Sequence, residues 1–233
     1  QEQVPISFMA FDLLERHGSD LRPEPLSTRR SELEDLFATE ALGPHLRLTE
    51  PFTFRSWNDL ADIRADSRDH KTEGLMLKRK DKTYAVGRPK GNWWKWKVEP
   101  FTLDGVLIYA QRGSGRRSTL HTDLSFALWD DEELVIFAKA YSGLTDEQFQ
   151  ELDNWIRRHT VERFGPVRSV EPEHVFEIAF EGVRRSNRHK CGVATRFPRI
   201  KRWRKDLAPN DADRLDDLQA LLPDLPDHVA DEE

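Results

Sequence analysis

Residues 73–97 read EGLMLKRKDKTYAVGRPKGNWWKWK, and the rest of the chain can be arranged around them. The stretch opens on a carboxylate, Glu73, and runs through Leu75, Met76 and Leu77 to Lys78. It closes on Lys95 and Lys97, two residues apart, so that on a strand both ammonium groups leave the same face. Between the two ends GRPKGN, residues 87–92, combines Gly, Pro and the cations Arg88 and Lys90 in a turn-prone segment. The pattern is strand, basic turn, strand. A carboxylate can hold a divalent metal or a ribose hydroxyl, and two parallel lysines can clamp a phosphate as point charges. A K-x-K pair alone is the ordinary look of a solvated strand face. With the EGLMLK run upstream at this spacing, it reads as a nucleotide-phosphate site.

The chain of 233 residues is long enough for one large or two small domains with real cores. Charged residues make up 33% and no apolar run approaches the ~18 residues a membrane helix needs. The N-terminus carries no secretory pattern, so no membrane partner is expected. A single cysteine, Cys191, excludes an internal disulfide and a multi-cysteine zinc site. A reducing, cytoplasmic setting is expected. The eight histidines show no H-x-x-x-H or H-E-x-x-H spacing.

The net charge of −6 conceals segregation. Residues 184–205 hold ten Lys/Arg and no Asp or Glu, and residues 78–97 hold eight Lys/Arg against Asp81 alone. From residue 206 onward ten Asp/Glu face Arg214 alone. Basic stretches of this kind suit a polyanion, and the acidic end hides them in the global sum.

Before the central stretch, residues 4–14 (VPISFMAFDLL) read as a buried strand. Ser27 or Thr28 can cap a helix with Leu33, Leu36 and Phe37 on its apolar face. Residues 46–54 suggest another strand, and Ser56 with Asp59 starts a helix reaching about Asp69. At Glu99-Pro100 the character changes, which sets a domain boundary. Beyond it, strands are expected at 102–111, 119–129, 133–141, 174–183 and about 192–197. Thr145 with Gln148 caps a helix bearing Phe149, Leu152, Trp155 and Ile156. Five short strands with one helix inserted after the third suggest a small closed barrel.

EGLMLK resembles motif IV, and NWWKWK motif V, of the ATP-dependent DNA ligases, a branch of the covalent nucleotidyltransferases. Phe11, in the context A-F-D-L, resembles the motif III aromatic that stacks on adenine. R-F-P-R from Arg196, with R-x-D at Arg204-Lys205-Asp206, resembles motif VI at the end of an OB-fold; Leu207 stands where many ligases have a lysine. The resemblance implies an α+β chain. Residues 1–99 would be the C-terminal part of an adenylation domain with an antiparallel sheet, 100–207 an OB-fold, and 208–233 an acidic tail.

By the same resemblance Glu73 helps to hold Mg2+ (or Mn2+), and Lys95 and Lys97 neutralise the α-phosphate of ATP. Phe11, Arg196 and Arg204 complete the nucleotide contacts. Arg88, Lys90, Arg188, Lys190, Arg199 and Arg202 are expected to grip DNA phosphates, arginine doing so through bidentate forks. The family's nucleophilic lysine lies in K-x-D-G, N-terminal to motif III, and no K-x-D-G occurs here. The chain is therefore expected to be a monomeric C-terminal fragment of a nick-sealing ligase, incapable of self-adenylation and partnered by ATP, nicked duplex DNA and the missing part of its adenylation domain. Two alternatives stay open: a non-catalytic OB-fold that binds nucleic acid by phosphate contacts and stacking, and an RNA ligase or capping-type nucleotidyltransferase.

Overall fold

The computed structural model describes residues 6–70, 72–113, 115 and 118–223. The chain divides into two compact units, 1–98 and 99–233.

In the first unit a short strand β1 (Phe8–Ala10) pairs in parallel with β4 (Leu46–Leu48). Between them lie a minimal hairpin of β2 (Glu15–Arg16) and β3 (Ser19–Asp20) and the helix α1 (Leu26–Thr39). The expected buried strand over 4–14 is thus three residues long, and Phe8 (66% exposed) and Met9 (50%) face solvent. An apolar run buries itself only where a second layer covers it, and here β4 meets β1 along one edge alone. Residues 4 and 5 of that expected strand lie outside the described residues.

Pro25 holds the N-cap position of helix α1 in place of Ser27 or Thr28, and no side chain caps the helix. Proline's fixed φ suits the entry to a helix, and its missing N–H costs nothing there. The face that α1 buries is Leu26, Arg29 and Leu33. The second helix, α2 (Trp57–Ala65), opens as expected on Ser56, whose hydroxyl accepts from the Asp59 N–H at 3.2 Å. It stops four residues short of Asp69, in a run of turns.

The central stretch folds into the antiparallel hairpin of β5 (Gly74–Lys78) and β6 (Trp93–Lys97). Its register sets Gly74 opposite Lys97, Met76 opposite Lys95 and Lys78 opposite Trp93. These six positions therefore share one face of the hairpin. Leu75, Leu77, Trp94 and Trp96 take the other, where Leu75 is buried and the Arg64 guanidinium of α2 lies 4.7 Å from the Trp96 ring centre. Gly74 has φ +138°, and a Cβ there would stand 2.3 Å from the Trp96 carbonyl oxygen. No other residue fits that crossing.

The second unit is a curled sheet of OB-fold order. Its long strand β7 (Phe101–Arg112) pairs with β8 (His121–Asp130), which pairs with β9 (Glu133–Ala140). On its other edge β7 pairs with β12 (Val175–Phe180), which pairs with β15 (Arg199–Trp203). The ring is drawn together where the Ile200 N–H donates to the Ser142 carbonyl at 2.9 Å. Gly143 makes that approach possible, since a Cβ would overlap the Ile200 carbonyl oxygen at 1.7 Å. Helix α3 (Asp146–Arg158), with the expected Thr145–Gln148 capping box, buries Phe149, Leu152 and Ile156 in the core.

The fifth barrel strand is Arg199–Trp203, not the segment near 192–197. A bulge at Lys201, opposite the step from Glu177 to Ile178 of β12, puts Ile200 and Trp203 both inside although they are three residues apart, while Lys201 and Arg202 turn outward. The bulge erases the period-2 signature. Residues 193–196 form β14, paired with β13 (Gly182–Arg185) in a side hairpin. A further hairpin, β10 (Thr160–Phe164) and β11 (Val167–Val170), joins the sheet through β7. The acidic C-terminal stretch packs onto this unit as far as the described chain goes. Helix α4 (Leu215–Gln219) buries Leu215 and Leu218, and the Asp213 carboxylate accepts from the Asp104 N–H at 2.7 Å. Residues 224–233 of the expected tail lie outside the described residues.

Candidate nucleotide and phosphate site

The lysine face of the β5–β6 hairpin gathers several of the residues that the sequence singles out in the first unit. Lys97 Nζ pairs with Glu73 Oε2 at 2.8 Å, and Lys95, exposed, lies two residues back along the same face. Lys78 Nζ stands 4.1 Å from the centre of the Phe11 ring and 4.4 Å from that of Trp93. The Phe11 and Trp93 rings meet edge to face at 6.4 Å, and Tyr84 meets Trp93 in the same way at 5.6 Å. Phe11 itself is 48% exposed. An exposed ring braced by a cation and a second aromatic is a ready stacking surface. Burial lowers the Lys78 pKa below the ordinary lysine value.

The residue after Phe11 is anchored by a buried ion pair. The neighbouring Asp12 carboxylate accepts from Arg29 Nε and Nη2, each at 2.8 Å, and both side chains are buried. Arg29 Nη1 also donates to the Glu24 and Lys82 carbonyls. The guanidinium thereby ties the segment after β1, α1 and the start of the β5–β6 connection together. Neither Arg29 nor Lys78 stood out in the sequence. Lys78 had a signal, since it follows Gly74 and Met76 at period 2 on the face that Lys95 and Lys97 share. Arg29 had none: it lies in an Arg-Arg pair indistinguishable from a solvated one.

Arg88 and Lys90 lie exposed in the turn between β5 and β6. The other sequence-singled residues belong to the second unit. Arg188 and Lys190 are exposed in the loop joining β13 to β14. Arg196 ends β14 with its guanidinium 5.0 Å from the ring centre of Phe197. Arg199 pairs with Glu181 at 2.9 Å and Arg202 with Glu177 at 3.3 Å, so both arginines are tied to carboxylates of the barrel wall.

Arg204 is the most tightly held of the set. It donates to Asp104 and, through Nε and Nη2, to Asp206 at 3.0 and 2.8 Å. The Asp206 hydrogen bond raises the Arg204 pKa further, and in return Arg204 holds the Asp206 carboxyl down at about 2. Burial pushes Asp104 upward. Lys205 pairs with Glu151 at 2.6 Å and lies over the Trp203 ring at 4.4 Å. Leu207, at the position where a lysine would resemble the family pattern better, packs beside Val106, Val175 and Ala212.

Comparison with known proteins agrees on both units. A family model described as ATP dependent DNA ligase domain matches residues 1–97, and one described as ATP dependent DNA ligase C terminal region matches 117–207. The chain is 37% identical over 241 residues to a probable DNA ligase of Koribacter versatilis, covering 95% of this chain and 42% of that protein. It is 35% identical to a DNA ligase of Natronomonas pharaonis, covering 95% of this chain and 39% of the relative. The chain thus spans roughly two fifths of the length of these relatives. Among solved structures, one from a study of Lig E DNA ligases superposes with a TM-score of 0.60 at 21% identity, covering 85% of this chain and 63% of that one. Another, titled Pmar-Lig_PreS3, gives a TM-score of 0.61 at 19% identity over 78% of this chain and 40% of the other. These two likenesses concern the fold.

Proposed function

The chain belongs to the ATP-dependent DNA ligase family, and on that footing we propose that the longer protein of which it forms part seals nicks in duplex DNA using ATP. The observation that supports this most directly is the hairpin face on which Lys78, Lys95 and Lys97 lie in register, with Phe11 against Lys78 and Glu73 against Lys97.

Ligation proceeds by three in-line displacements at phosphorus. A lysine supplied by a K-x-D-G segment outside these residues attacks the α-phosphate of ATP, forming a lysyl–AMP bond as pyrophosphate leaves. AMP passes to the 5′-phosphate of the nick, releasing the lysine. The 3′-hydroxyl then attacks that 5′-phosphate and AMP leaves. In each step positioning and charge neutralisation carry the catalysis.

Within that scheme Phe11 stacks on adenine, and Lys95 and Lys97 neutralise charge on the α-phosphate as it develops. Glu73 suits Mg2+ (or Mn2+), because such an ion is commonly held by one or two carboxylates with substrate phosphates and water. When bound there it supplies further neutralisation of the phosphate oxygens. The Lys97–Glu73 pair keeps both groups oriented in the meantime. By the family resemblance Arg196 and Arg204 are assigned to orienting the pyrophosphate group, Lys205 taking the part of the cation that Leu207 cannot supply. Arg88, Lys90, Arg188 and Lys190 contact DNA phosphates; Arg199 and Arg202 join them by exchanging their glutamate partners for phosphate. We place this activity in the cytoplasm, in a monomer serving repair, replication or recombination.

The test is the full-length protein with α-labelled ATP and a nicked duplex. Covalent labelling of the protein followed by a sealed strand is the expected outcome. A protein that takes no label and leaves the nick open would overturn the reading.

A further inference from the structure

We propose that His159, Glu171 and Glu173 form a binding site for a divalent transition-metal cation on the second unit, where no carboxylate of the nucleotide site lies. One ring nitrogen and one oxygen from each carboxylate all fall within 4.8 Å of one another. Three donors bound to one ion at about 2.0–2.3 Å lie roughly 3–4 Å apart, so the set need contract only slightly around an ion.

The groups are arranged in advance. His159 is the C-cap of α3, where the unpaired carbonyl ends favour a cation. The Trp155 ring stacks on its imidazole, centres 4.7 Å apart and planes 9° apart, which fixes the direction of the ring nitrogens. The Glu171 N–H donates to the His159 carbonyl at 3.1 Å and the Glu173 N–H to the Glu171 carbonyl at 2.9 Å, so the three backbones are laced together. His159 Nδ1 already meets Glu171 Oε2 at 2.7 Å, the contact an ion would replace.

The donor set selects the ion. One imidazole with two carboxylates suits Mn2+, Co2+ or Zn2+ rather than Mg2+ or Ca2+, which prefer oxygen alone. Three protein ligands leave coordination positions open. Glu173 also borders a groove of about 350 Å³ lined by His174, Trp203, Arg204 and Lys205. A bound ion would add its charge to the cationic wall of that groove.

The experiment is calorimetric titration of the whole chain with Co2+ and with Zn2+, in excess Mg2+ to occupy oxygen-only sites. One saturable site is expected. His159→Ala should weaken it at least about tenfold, as should the double variant Glu171→Gln/Glu173→Gln, with circular dichroism confirming that each is folded. His45→Ala, an exposed histidine elsewhere, should leave it unchanged. Absence of saturable binding, or equal affinity in the double variant, would overturn the proposal. None of these readouts passes through ligation, so this site and the nick-sealing reading stand or fall separately.

Discussion

Replacing Asp12 with alanine removes the counter-charge of a guanidinium that is 0% exposed. Arg29 makes four hydrogen bonds, and two of them, from Nε and Nη2, go to Asp12. The bonds from Nη1 to the Glu24 and Lys82 carbonyls survive, but they carry no formal charge to balance the cation. At a separation of ~4 Å and an effective dielectric near 20, the lost attraction is about 4 kcal/mol. Breaking one side of a buried pair costs about 3–5 kcal/mol by the same logic, because the remaining charge stays buried. In a unit of about 100 residues each kcal/mol shifts the midpoint by ~4–8 °C, so the first unit should lose at least about 12 °C. Urea and thermal melts followed by tryptophan fluorescence can read this, since Trp57, Trp93, Trp94 and Trp96 belong to that unit. A transition from the second unit should stay in place. The double variant Asp12→Leu/Arg29→Met should recover much of the loss, as apolar replacements of buried pairs do. A loss under about 1 kcal/mol in the single variant, with the fold intact, would refute the idea that this pair anchors Phe11.

Gly74→Ala should cost about 3 kcal/mol or more, from its positive φ and the 2.3 Å approach to the Trp96 carbonyl; a native-like melt would contradict the hairpin crossing. Leu218→Ala should destabilise the second unit by about 2–5 kcal/mol, whereas a neutral result would mean that the acidic C-terminal stretch is not part of that core. Burial pushes His174 down to about 4, and burial also lowers His121. Between pH 6.5 and 4 the unfolded chain therefore binds protons the folded chain refuses. The stability they contribute is complete above pH 6.5 and falls as pH drops toward 4. Urea midpoints of the second unit at pH 7.5 and 5 should differ in that sense, and less so in His174→Gln; a flat profile would refute it.

The strands with clean alternation were legible from the residues alone. Leu124 and Phe126 of β8 alternate with the polar Asp123 and Ser125, and the capping box of α3 is written in Thr145 and Gln148. Where alternation is broken by geometry, reading failed. The bulge at Lys201 disguised β15, and the apolar residues of the run at 160–164, Val161 and Phe164, do not alternate and stay exposed, so β10 had no buried face to signal it. Lys95 and Lys97, which project from one face of a regular hairpin, were readable, because period 2 is a property of the backbone. Arg29 was not, because its importance comes from Asp12, seventeen residues away, and no local pattern encodes a contact formed by folding.

The most direct measurement adds α-labelled ATP and magnesium to this chain, alone and with a polypeptide carrying a K-x-D-G segment, and reads a denaturing gel. The account predicts no label on this chain in either case. Label should appear on the added polypeptide when both are present, and should fall at least about a hundredfold with Lys97→Ala. Label on this chain alone would contradict it: the nucleophile would then lie within these 233 residues, and the lysine face would not be an accessory clamp.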